Sequence, residues 1–219
     1  MTKFQIMRLL PAALLLGALA GSLGGCLGAA PPIPRDHYYR VAVKPASALP
    51  VQFPGIILVT PIEADGLLRE RPLLFSQSGA REIQQHDYHY WTEAPPHMLQ
   101  AQLVEYLRRS GAAEAVITPD LRLSADYEVT GRIRRFERLL LGETARVVAE
   151  LELAMTEVAT ERLIVVQTYS AQATAADNSV EASVRALDNA LGDIFARFLA
   201  DAGTSNLAQR IGPAGEKKN

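Results

Sequence analysis

Between Tyr127 and Ala171 three long segments follow one another, and in the first two the apolar residues recur with a period of two. Successive side chains of a strand point to opposite faces, so this period commits one face of such a segment to a core. In the first segment Tyr127, Val129, Gly131 and Ile133 alternate with polar residues. The phase slips near Arg134 and Arg135, where Phe136 takes over the apolar role, which predicts a β-bulge. Gly142-Glu143 makes a turn, and Val147, Ala149, Leu151, Leu153 and Met155 then alternate with outward Glu150 and Glu152. Glu157 to Glu161 turns the chain again, and Leu163 to Ala171 completes an antiparallel meander with one face covered.

Two amphipathic helices supply the cover. The first is expected from about Glu93 to Ser110: Pro95 and Pro96 suit a first turn, Leu99, Leu103, Tyr106 and Leu107 form a stripe, and Gly111 stops it. The second is expected from Ser179 to Asp201, with Asn178 and Glu181 as a capping box and Gly203 as its end. Its stripe is Val184, Leu187, Leu191, Ile194, Phe195 and Phe198. Shorter strands are expected at His37–Val43, Gly55–Thr60, Pro72–Phe75, Arg81–Tyr90 and Val116–Ile117, with Gln77-Ser78-Gly79 turning between the third and fourth. Together these predict an α+β fold, a largely antiparallel sheet with the two helices packed on one face.

The first 25 residues read differently. Lys3 and Arg8 precede a strongly apolar core of roughly 12 residues, the length of a signal-peptide h-region, and small residues lead to Cys26. Leu23-Gly24-Gly25-Cys26 has the form of a bacterial lipobox, in which the cysteine thiol is alkylated by lipid and small residues admit the backbone to the peptidase. The competing reading is an uncleaved transmembrane helix, since no charge occurs between Arg8 and Arg35. Gly21, Gly24, Gly25 and Gly28, followed by Pro31, Pro32 and Pro34, weaken the second half of such a helix. The chain has one cysteine, at that position, so the folded domain holds no disulfide. The expected organisation is a signal peptide over 1–25, a lipidated Cys26 and extended tether over 26–36, a domain over 37–203 and a disordered polar tail over 204–219. Leu27 rather than Asp follows the cysteine, which by resemblance to enterobacterial sorting rules directs the protein to the outer membrane.

The formal net charge of −2 becomes about −4 once Lys3 and Arg8 leave with the leader, which argues against nucleic-acid binding. His86, His89 and His97, with Asp87, are the best metal candidates. His86 and His89, three apart on a strand, should face opposite ways, and no cysteine ligands accompany them, so no metal is expected. There is no G-x-S-x-G elbow, no phosphate-cradling or dinucleotide glycine motif, and nothing that distinguishes Ser76 or Ser78 as a nucleophile, so no catalytic residue and no cofactor are expected. Arg132, Arg134, Arg135 and Arg138 form the densest basic patch. It reads as a solvated face balanced by Glu128 and Glu137, or as a docking surface for acidic lipid or an acidic partner. Trp91, after Tyr88 and Tyr90, is either a core residue over the first helix or an interface anchor.

From Tyr38-Tyr39-Arg40, through the apolar run Gly55–Pro61 and Leu68-Arg69 before Pro72-Leu73-Leu74, to Tyr90-Trp91-Thr92-Glu93 and the late helix, the order of elements resembles the ABC-type transport auxiliary lipoprotein family. Ala94 separates Glu93 from Pro95, where the family runs straight on to proline, and the aspartate usual between Leu68 and Arg69 is missing. The resemblance implies a non-enzymatic protein on the outer membrane, facing the periplasm. Its implied partner is an MCE-domain protein of an ABC-type lipid transporter, and it implies a homo-oligomer to match the MCE ring. The alternative is an outer-membrane lipoprotein that assists assembly of another envelope complex.

Overall fold

In the computed structural model, residues 34–44, 53–77 and 81–211 are described. The chain divides into two compact units, Met1–Arg35 and Asp36–Asn219, and every element named here belongs to the second. Cys26, most of the tether, the tip at Ser78-Gly79 and residues 212–219 lie outside the described residues. In chain order the strands are β1 (His37–Tyr39), β2 (Phe53–Val59), β3 (Pro72–Gln77) and β4 (Gln84–Trp91), then helix α1 (Pro95–Arg109) and β5 (Ala113–Ile117). The long strands β6 (Tyr127–Leu141), β7 (Thr144–Glu157) and β8 (Arg162–Thr174) follow, and then helix α2 (Val180–Ile211).

The meander forms as its period requires. β6 pairs antiparallel with β7 along its whole length, and β7 with β8. The register slips between Ile133 and Arg135, so Arg134 is the extra residue and Phe136 returns to the core beside Ile133. Gly142, at φ +72°, turns β6 into β7 in a conformation that favours glycine. Leu151, Leu153 and Met155 of β7 are fully buried, and burial of each such side chain contributes roughly 1.5–3 kcal/mol.

The sheet as a whole is mixed, not largely antiparallel. Four of its seven strand pairs are parallel: β1 with β4, β2 with β5, β2 with β6 and β3 with β6. The cause is the path between β2 and β3. That segment does not reverse; it continues along the free edge of β6. β2 therefore lies beside Tyr127–Val129, Glu63 bridges to Arg132, and β3 lies beside Arg138–Leu140, all in one direction. α1 then acts as the crossover that parallel pairing of β2 and β5 needs.

Both helices bury their stripes in one core with the inner face of the meander, and Tyr106 of α1 meets Phe195 of α2 edge to face with ring centres 5.5 Å apart. Pro95 and Pro96 occupy the first turn of α1. Gly111, at φ +63°, ends it, with the Ala112 N–H donating to the Leu107 carbonyl at 3.2 Å. α2 differs from expectation at both ends. Ser179, not Asn178, is the cap, its Oγ accepting from the Ala182 N–H at 3.0 Å, and Glu181 pairs with Arg185. Gly203 does not stop the helix, and the expected polar tail is helical as far as Ile211. Glycine inside a helix costs about 1 kcal/mol; the chain continues as helix past it, with Phe198, Leu199 and Ala202 just before it packed in the core.

Candidate functional site

The cluster of interest begins with an irregularity in β4. Pro72 and Leu74 of β3, two residues apart, stand opposite Tyr90 and Gln85 of β4, five apart. Tyr88 within this bulge has φ +59°, a left-handed conformation rare for a bulky side chain. The bulge cancels the alternation that would have separated His86 from His89. Their rings lie together instead, with centres 5.4 Å apart. β1 adds to them: His37 stacks on His89 at 5.1 Å, and the Tyr39 hydroxyl is hydrogen-bonded to His89 Nδ1 at 2.9 Å.

Behind the histidines lies Arg138 of β6, only 3% exposed. Its Nε donates to Ser183 Oγ at 2.9 Å, its Nη2 to the Asn178 carbonyl at 3.0 Å, and its Nη1 to His86 Nε2 at 2.5 Å. A guanidinium can only donate, so His86 accepts at Nε2 and is neutral. Burial, then Arg138, then His89 push the His86 pKa down to about 4, against the pull of Asp87. His89 is lowered by burial, His37 and Arg138. Burial and the nearby Glu181 raise Tyr39. The result is a buried cation held by neutral acceptors, which ties β1, β4 and β6 to the first turn of α2.

The remaining arginines of the basic patch behave otherwise. Arg132 pairs with Glu63 and, at 2.7 Å, with Asp65; Arg134 pairs with Glu152 at 2.5 Å and Arg135 with Glu137 at 2.6 Å. Glu128 is in none of these pairs. The patch is therefore three carboxylate-paired side chains and one buried structural cation.

His97 is not part of the histidine cluster. It lines a separate cleft of about 710 Å³ beside the start of α1, together with Ile62, Glu63, Asp65, Arg69 and Arg132. Among the described residues no group of His, Cys, Asp or Glu is placed to hold a metal ion. The Ser76 hydroxyl, 5% exposed, donates to Glu137 Oε2 at 2.8 Å, and that carboxylate also pairs with Arg135; Ser78 lies outside the described residues. Trp91 is 2% exposed and packs on Phe136 with ring centres 5.2 Å apart, a core residue. Among the described residues no helix is long and apolar enough to cross a membrane.

The family model for the ABC-type transport auxiliary lipoprotein component matches residues 39–198, from the end of β1 to Phe198 in α2. The chain belongs to this family. As a member it is a lipoprotein component auxiliary to ABC-type transport. The residues that carried the resemblance sit where they define the fold: Tyr39 holds His89, Trp91 fills the core, and the run after Gly55 forms β2. Solved structures share that fold. A Xanthomonas campestris protein, 18% identical, matches over 80% of this chain and 100% of its own, with a TM-score of 0.70. An uncharacterised protein, 13% identical, matches over 77% of this chain and 99% of its own, with a TM-score of 0.61. No curated protein matches the chain.

Proposed function

We propose that this protein is a non-enzymatic lipoprotein, anchored by lipid on Cys26 in the outer membrane and facing the periplasm. There it ties the MCE-domain protein of an ABC-type lipid transporter to that membrane. The observation that carries this reading is the family match over residues 39–198, most of the folded domain. The lipobox at Cys26 and the following Leu27 support the anchor and its location. The buried polar groups around Arg138 tie strands to a helix, an arrangement that fits an adaptor. The energy for transport comes from the ATPase and permease of the system.

Crosslinking in cells followed by purification from separated membranes tests the proposal. The expected result is recovery in the outer-membrane fraction together with an MCE-domain protein. Recovery with other envelope proteins and no MCE-domain protein would overturn the partner. Release of Cys26→Ser into the periplasm is expected; its retention on the membrane would overturn the anchor.

A further inference from the structure

The β1–β4 edge carries two exposed tyrosines, Tyr38, whose hydroxyl donates to Asp36 Oδ2 at 3.2 Å, and Tyr88. Tyr88 occupies a left-handed backbone position that glycine would hold without strain. Yet its side chain is 44% exposed and makes no hydrogen bond or ring contact among the described residues. Tyr38 is 55% exposed. Its ring lies 5.8 Å from that of Tyr90 and 5.4 Å from the guanidinium carbon of Arg71, and Arg71 Nε donates to the Trp91 carbonyl at 3.1 Å. A hollow of about 290 Å³ lies between these groups and Asp36. Tyr38, an exposed phenol ring beside a fixed guanidinium, and the exposed Tyr88 have the make-up of side chains that sit at lipid headgroups, with an apolar body and a polar tip.

The length of the tether selects the occupant. β1 starts eleven residues after Cys26, and at most ~3.6 Å per residue the segment spans under about 40 Å. β1 is the first strand the chain enters after Cys26, so no other element is nearer the anchor along the backbone. A tethered contact is intramolecular, so a surface of modest intrinsic affinity suffices. Arg40 and Arg71 are balanced by Glu70 and Asp87 in the segments that form this edge, so the rings and not net charge make the contact.

We infer that the β1–β4 edge rests on the headgroup layer of the anchoring bilayer, with Tyr38 and Tyr88 as its contact side chains. This rests on Cys26 as the point of attachment. It is tested by radical footprinting on vesicles of phosphatidylethanolamine and phosphatidylglycerol. The mature chain is coupled through its only cysteine to a maleimide lipid, which sets the tether whether or not cells lipidate it. A failure of cellular lipidation therefore overturns the anchor reading without touching this test.

The expected result is at least threefold less labelling of Tyr38 and Tyr88 on vesicles than in solution, with Leu163 and Val166 on the free edge strand β8 unchanged. Equal labelling on and off vesicles would overturn the inference, as would protection of Leu163 and Val166 in place of the tyrosines. Protection of the tyrosines by a protein partner but not by vesicles would overturn it too. Tyr88→Gly is expected to unfold at the same or higher urea concentration while Tyr38 regains at least half of its solution labelling. Earlier unfolding would give the ring a structural role and overturn its part.

Discussion

Arg138 Nη1 lies 2.5 Å from His86 Nε2, so a buried cation on the central strand holds, across β3, a histidine from the irregular strand β4 in its neutral form. Arg138 also holds the start of α2 through Ser183 and Asn178. Arg138→Ala would leave these acceptors without a donor. Hydrogen bonds from charged groups contribute about 1.5–3 kcal/mol each, offset here by the cost of burying the charge, so a net loss of ~2–4 kcal/mol is expected. Arg138→Lys keeps the charge but not the planar fork, and about half of that loss is expected. Urea unfolding measures both.

The pH dependence around His86 has a definite sign. Its pKa falls from 6.5 in the unfolded chain to about 4 when folded. Between those values the unfolded chain takes up a proton that the folded protein refuses, so this contribution to stability is full above pH 6.5 and is lost as the pH falls toward 4. His89, also lowered, acts in the same direction. In His86→Gln the amide oxygen can still accept from Arg138 but has no proton to take up. The difference in urea midpoint between pH 7.5 and pH 5 is expected to be smaller in this variant than in the parent; an equal difference would remove His86 as its source.

The meander and its bulge at Arg134 are legible in the sequence because period two repeats over long segments and a slip in phase is visible. The histidine cluster is not. Alternation assumes a regular pleat, and nothing in His86-Asp87-Tyr88-His89 signals that Tyr88 will adopt a positive φ. The direction of β3 is hidden for another reason: it depends on the path of Thr60–Arg71, which is set by contacts with β6 far along the chain. Gly203 is a fair stop signal, overridden where Phe198, Leu199 and Ala202 pack in the core, which only the packed helix reveals. Arg138 looks in sequence like its neighbours Arg132, Arg134 and Arg135; its burial and its neutral acceptors, which set it apart, appear only in the fold.

Asp188 opposes the histidines. Its Oδ1 accepts from the Ala42 N–H at 2.8 Å where the chain after β1 crosses α2. Burial raises its pKa from 3.8 to about 6, against the Ala42 hydrogen bond and Lys44. Here the folded state holds the proton more tightly, so the contribution is full below pH 3.8 and is lost as the pH rises through about 6. Asp188→Asn keeps the acceptor without the charge. At pH 7.5 it is expected to stabilise the protein by about 1–2 kcal/mol, and its stability should fall more steeply than the parent's between pH 6 and 4. Urea titrations across that range measure both effects.

Gly55 and Asp126 form a clasp that admits no side chain at position 55. Asp126 Oδ2 accepts from the Ile56 N–H at 2.8 Å, and the Asp126 N–H donates to the Ile56 carbonyl at 2.9 Å, which sets β2 in register beside β6. Gly55 has φ +94°, and a Cβ there would fall 2.1 Å from Asp126 Oδ2. Gly55→Ala must therefore adopt a strained backbone and displace the carboxylate, for a combined loss of about 2–3 kcal/mol. Asp126→Ala alone should lose ~1 kcal/mol with its hydrogen bond. In the double variant the clash is gone and only the backbone strain remains, so Gly55→Ala should cost less there than in the parent, by ~1 kcal/mol. Urea unfolding of the four proteins gives the coupling; strict additivity would mean that the carboxylate does not set the glycine requirement.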